Sequence, residues 1–209
     1  MNLFKDHLTA LLDFEGRENR QPFWLWVLIT SAVQYVVSSI AMIPFMQTNF
    51  QGMAPLFGRD SNYLDKHPEI FSRLMTQTLT PMIRWIVIIN AITMLIMLIL
   101  LAAAIVRRLH DSNRSGWWAS PVLAAHLAMI ILFATVFPRL FEMFGKVRAD
   151  MPQAEVQAAM GPWLQSFALL WSVGMLAFVF QVVLIVFLVL PGTIGPNRFG
   201  DDPLRPSFH

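Results

Sequence analysis

Hydrophobic positions in this chain fall into four long runs, at residues 23–46, 82–106, 117–137 and 163–190. A helix crossing a hydrocarbon core of about 30 Å needs about 20 apolar residues, so each run is long enough. None contains Asp or Glu, and Arg84, near one end, is the only Lys or Arg among them. Polar residues do not alternate with apolar ones, as they would in a barrel strand. The Val- and Phe-rich fourth run therefore also predicts a helix, because backbone groups in lipid must be satisfied within the segment. It is the longest run and predicts a tilted or protruding span. Trp24 and Trp26 open the first run, Trp85 the second, Trp117 and Trp118 the third, and Trp163 the fourth. Tryptophan favours the headgroup level, where its ring is apolar and its N–H is wet. Pro22 suits a first helical turn, and Pro191-Gly192 stops the last span.

The segments between the runs complete the pattern. In residues 1–16, Leu3, Phe4, Leu8, Leu11, Leu12 and Phe14 approximate helical spacing and predict an interfacial helix. The connection at 47–81 begins with turn-formers and ends in an apolar stretch with Ile70, Phe71, Leu74, Met75 and Leu79. The connection at 138–162 extends the third helix and then predicts a short helix, with Asp150 near its start, ended by Gly161-Pro162. The connection at 107–116 is tight, so the second and third spans are antiparallel neighbours. An even number of crossings puts both termini and the tight loop on one side. Lys and Arg divide eight to seven between the two sides. Their placement discriminates better, because Arg107, Arg108 and Arg114 crowd the tight loop and Arg17 and Arg20 precede a span. This side is expected in the cytoplasm. The expectation is an all-α membrane protein with a four-transmembrane-helix bundle, an N-terminal interfacial helix and a structured cytoplasmic tail. Residues 1–209 are read as a single integral membrane domain.

Composition agrees. Hydrophobic residues make up 56% and charged residues 13%, against about 45–50% and about 25% in soluble domains. So few charges cannot coat a soluble surface. A net charge of +2 gives no reason to expect a nucleic-acid partner. Cysteine is absent, which removes disulfides, thiolate metal sites and a cysteine nucleophile. The first apolar run starts late and is too long for a cleavable signal. Hydrolase, Walker-type and dinucleotide glycine motifs are missing.

Three segments stand out on the expected cytoplasmic side. The first carries Phe14, Gly16, Arg17, Arg20, Phe23 and Trp24. The second carries Arg107, Arg108, Leu109, His110, Asp111, Arg114, Ser115, Trp117 and Trp118. The third carries Gly192, Gly195, Asn197, Arg198, Phe199, Gly200, Asp202 and Pro203. In this order, near span ends, they resemble the bacterial family catalogued as domain of unknown function 805, the YhaH-like inner-membrane proteins. The resemblance runs from near Phe14 to Pro203. It implies a bacterial inner-membrane location and no established activity.

The residues also have readings of their own. Arg107 and Arg108 end a helix, where cations complement the dipole, at the depth of anionic headgroups. Asp111, Ser112 and Asn113 are turn chemistry. Pro and Gly in the tail suit a structured, non-helical segment. Arg17, Arg20, Arg107, Arg108, His110, Asp111, Arg114, Asn197, Arg198 and Asp202 thus form a candidate face for an anion, a lipid or a partner. The competing account is a structural salt-bridge network, with Arg198 near Asp111 and Asp201 or Asp202 near Arg17, Arg20 or Arg114. A metal site from His110, Asp111, Asp201 and Asp202 lacks any phosphotransferase spacing. Within the spans lie Gln34, Asn90, His126 and Gln181. Such residues are functional candidates or cross-helix packing glue. No catalytic residue, metal or cofactor is assigned. Expected partners are membrane lipids, with a protein partner or a second copy as further possibilities. The favoured function is a non-enzymatic membrane protein whose Arg-rich cytoplasmic face binds a partner or anionic lipid headgroup. A small-solute transporter or channel is the alternative. A membrane enzyme acting on a phosphorylated lipid is the third reading.

Overall fold

A computed structural model describes residues 3–54, 58–59, 63–67, 70, 77–78, 80–146 and 151–204. Phe71, Leu74, Met75, Leu79 and Asp150, named above, lie outside the described residues. The helices are α1 (Leu3–Thr9), α2 (Arg20–Met53), α3 (Tyr63–Lys66), α4 (Thr80–Asp111), α5 (Ser120–Lys146) and α6 (Gln153–Val189). A 3-10 turn, Gly116–Ala119, leads into α5. Among the described residues, four helical stretches are long and apolar enough to cross a membrane, one for each hydrophobic run. The fold is all-α, and the chain is a multi-pass membrane protein.

The helices overrun the hydrophobic runs that predict them. With 34 residues, α2 is about 51 Å long at 1.5 Å per residue, well beyond a hydrocarbon core. Apolarity marks only the part of a helix that lipid touches, so it understates helix length. The expected break at Gly161-Pro162 does not occur, and α6 runs through Pro162. A proline removes one ladder bond and crowds one carbonyl. The good helix formers on both sides outweigh that local loss. Ser166 Oγ donates to the Pro162 carbonyl at 2.9 Å. Pro44 inside α2 is similarly followed by Thr48 Oγ1, which donates to its carbonyl at 3.0 Å. At the N-terminus, helix covers only Leu3–Thr9 instead of the expected 1–16. Beyond it the Asp13 carboxylate accepts from Glu15 N at 3.0 Å. Such an Asx turn competes with helix.

The chain divides into two compact units. The first comprises Met1–Val37, Ile92–Leu127 and Gly174–His209. Its core is Phe23 and Trp26 from α2, Ala104 and Leu109 from α4, and Leu184 and Leu188 from α6. Val122 of α5 packs against that cluster. Trp26 Nε1 donates to the Leu100 carbonyl at 2.9 Å, so the indole has its polar partner inside the core. The second unit comprises Ser38–Ala91 and Ala128–Val173. Val136 and Leu170 are buried there, and Trp163, Phe167 and Trp171 form an aromatic ladder along α6. Outward helix faces carry exposed Leu28, Ile40, Ile92, Leu95 and Phe178. That is the inverse of a soluble surface and the expected face toward lipid.

Candidate functional site

All three sequence motifs meet in the first unit, where α4 ends. The end itself is set by local chemistry. Asn113 adopts φ 58°, the left-handed region that short polar side chains tolerate. Its N–H donates to His110 O at 2.9 Å and Arg114 N–H donates to Leu109 O at 2.9 Å. This is a Schellman closure with Asn in the usual glycine position.

Arg107 and Arg108, expected as headgroup-level anchors, turn inward instead. Arg108 is fully buried. Its Nε donates to Leu188 O at 2.9 Å and its terminal nitrogens to Leu190 O and the Asp111 carboxylate. It thereby satisfies carbonyls that the end of α6 leaves without helical partners. Arg107 donates through Nε and a terminal nitrogen to one oxygen of Glu18, at 3.1 and 2.9 Å. Its other nitrogen reaches the carbonyls of Ala10 and Asp13. The second Glu18 oxygen lies 2.7 Å from His7 Nε2, and the His7 ring stacks on Trp26 with centroids 4.8 Å apart. The segment after α1 is thus fastened by side chains rather than by continued helix.

Arg17 makes the link to the tail. Its Nε and one terminal nitrogen donate to Asp111 Oδ1 at 3.2 and 3.0 Å. The carbonyls of Thr193 and Gly195 each accept from it at 2.6 Å. The Asp111 backbone carbonyl accepts from Thr193 N at 2.8 Å. Gly192 lets the tail come this close: a Cβ there would lie 2.2 Å from Asp111 Oδ2.

The tail is folded, as its Pro and Gly content predicts. Asn197 and Gly200 form a tight antiparallel bridge. Asn197 Nδ2 donates to His110 O at 3.0 Å and Thr193 Oγ1 at 2.8 Å. The Phe199 ring stacks on His110 at 3.8 Å, nearly parallel. Asp202 accepts from the amides of Gly195 and Leu204 at 3.0 and 2.9 Å.

The expected pairings are therefore redistributed. Arg17, rather than Arg198, takes Asp111. Arg198 donates to Asn113 O at 3.3 Å and lies over the Phe199 ring at 4.6 Å. Asp202 holds backbone amides rather than Arg17, Arg20 or Arg114. Arg114 lies over the Phe187 ring at 4.5 Å. Asp111 faces two guanidiniums, and Asp202 accepts from two amides. Glu18 and His7, both buried, complete the network and carry no role in the sequence reading. Their signal was faint: one acid between two arginines, and one histidine on an otherwise apolar-faced helix.

Two of the intramembrane polar residues reach carbonyls of their own helices. Asn90 Nδ2 donates to Ile86 O at 2.8 Å, and His126 Nδ1 lies 2.8 Å from Val122 O. Each contact is made within the residue's own helix, four residues back. Gln34 and Gln181 are half-buried.

The fold and this network define a multi-pass α-helical membrane protein whose termini are clasped together by buried arginines. Within that class the chain belongs to the family described as "Protein of unknown function (DUF805)", whose model matches residues 11–201. No curated protein and no solved structure matches the chain.

Proposed function

We propose that the protein is a non-enzymatic component of the bacterial inner membrane, with both termini in the cytoplasm. Its arginine-bearing face holds anionic lipid headgroups. The observation that carries this reading is an excess of guanidiniums over carboxylates within the clasp. Arg17, Arg107 and Arg108 share only two carboxylates, Glu18 and Asp111. Arg20 and Arg198 stand exposed outside this clasp, with Arg114 half-buried beside it. The buried arginines serve the fold, and the outer ones are available to lipid, where each basic residue gains about 1 kcal/mol near an anionic surface.

Retained lipid tests this. Purified protein drawn from mixed nanodiscs should keep phosphatidylglycerol in preference to phosphatidylcholine when weighed by native mass spectrometry. Equal retention would remove the reading. Solute flux in liposomes above that of empty vesicles would favour a transporter. Headgroup turnover with added Mg²⁺ would favour an enzyme.

A further inference from the structure

We infer that one phospholipid site lies in the groove beside the first turns of α2, with Arg20 as its phosphate ligand. This rests on the reading just given and assigns it a location. Asn19, Arg20, Gln21, Trp24, Leu25 and Leu28 line the groove along α2, and Val189 and Leu204 close it. It is an open trough of about 700 Å³.

Its lining is graded along the helix. Arg20, Trp24 and Leu28 are spaced four residues apart, so they share one helical face. The distance from Arg20 to Leu28 is about 12 Å at 1.5 Å per residue. Charge, then an amphipathic ring, then aliphatic surface is the order met in passing from a lipid phosphate to its acyl chains. Trp24 belongs at the headgroup boundary for the same reason. A soluble phosphate would match only the upper end, whereas a diacyl phosphodiester matches the whole trough.

Arg20 also differs from its neighbours in having no internal use. Arg17, Arg107, Arg108, Arg114 and Arg198 each have hydrogen bonds to protein oxygens. Among the described residues the Arg20 side chain makes none, and no acidic residue lines the groove. Its field acts against the buried Arg108 cation. A lipid phosphate would supply the missing countercharge, and the planar guanidinium suits two phosphate oxygens at once.

The test uses full-length protein in nanodiscs of phosphatidylglycerol and phosphatidylcholine, with retained lipid weighed by native mass spectrometry. Arg20→Gln should cut the phosphatidylglycerol preference roughly fivefold, the equivalent of about 1 kcal/mol. Arg20→Lys should keep most of it. Arg139→Gln, an equal charge change at an exposed position outside the groove, should leave it near the wild-type value. The Arg20 side chain makes no hydrogen bond to a described residue, so the melting temperature of Arg20→Gln in neutral detergent should match wild type, which checks folding. Inorganic phosphate should not reproduce the stabilisation given by the lipid. Wild-type preference that survives Arg20→Gln, or that falls equally with Arg139→Gln, overturns this groove and leaves the wider lipid reading standing. Stabilisation by phosphate alone overturns the lipid as occupant. Absence of any preference in wild type overturns both.

Discussion

Asp111 is the residue on which most of the clasp converges. Its carboxylate faces Arg17 and Arg108, and its carbonyl meets the tail at Thr193. Removing one partner of a buried ion pair strands the other charge and costs roughly 3–5 kcal/mol. Asp111→Asn should lower unfolding stability in mixed micelles by about that amount. Coupling identifies the partner. A double-mutant cycle on Arg17→Gln and Asp111→Asn should show an interaction of about 0.5–3 kcal/mol. The cycle on Arg198→Gln and Asp111→Asn should be additive. The reverse result would restore the Arg198–Asp111 pair that sequence suggests. Gly192→Ala should destabilise by about 1–3 kcal/mol, as overpacking does, because its methyl group meets the same carboxylate. Denaturant titration that leaves its midpoint at wild type would contradict that close approach. Sequence exposed the clustering of these groups but not their pairing. Several arginines and several aspartates lie within reach, and no rule of spacing chooses among them. The choice depends on a missing Cβ at Gly192 and on the direction in which Arg108 leaves its helix. Glu18 was hidden for a related reason: beside Arg17 in the chain, it is bonded to an arginine 89 positions away.

At the scale of elements, hydrophobic runs located every span and misjudged most ends. Apolarity reports contact with lipid, whereas the backbone ladder continues until something competes with it. At the end of α4 the competitor is Asn113 in the left-handed region. Asn113→Ala should cost about 1–2 kcal/mol, the penalty for an ordinary side chain in that conformation. Asn113→Gly should be no worse than wild type. Equal stability of the Ala and Gly variants would show that the left-handed turn does not limit the fold. No competitor arises at Pro162, and α6 continues. The exposed apolar faces of α1 are Phe4 and Leu8, which keeps the interfacial reading of this short helix while His7 points inward.

For the whole molecule, the arrangement predicts a common side for both termini. The absence of native cysteine makes single replacements clean reporters. Ile194, highly exposed in the tail, should as Ile194→Cys resist an impermeant maleimide in intact cells and react after permeabilisation. Gln153→Cys, at the exposed start of α6, should react from outside. Labelling in the opposite sense would invert the topology. A chain stopped after Leu190 tests the clasp as a unit. It loses the Thr193 and Gly195 carbonyls that hold Arg17 and should melt well below full-length protein. An unchanged melting temperature would make the tail an ornament.

The order of synthesis gives the clasp a further meaning. Arg17, Arg107 and Arg108 leave the ribosome before the residues from Leu188 onward that bond two of them. While the first three spans are being inserted, Arg17 and Arg108 lack those late partners. Cations beside nascent spans are what the insertion machinery reads when it fixes orientation. Only when the last span is in place does the tail arrive to enclose them. On the orientation proposed above, the same guanidiniums would be address labels during biogenesis and buried fastenings afterwards, and the tail closes on the clasp only after the last span has been made.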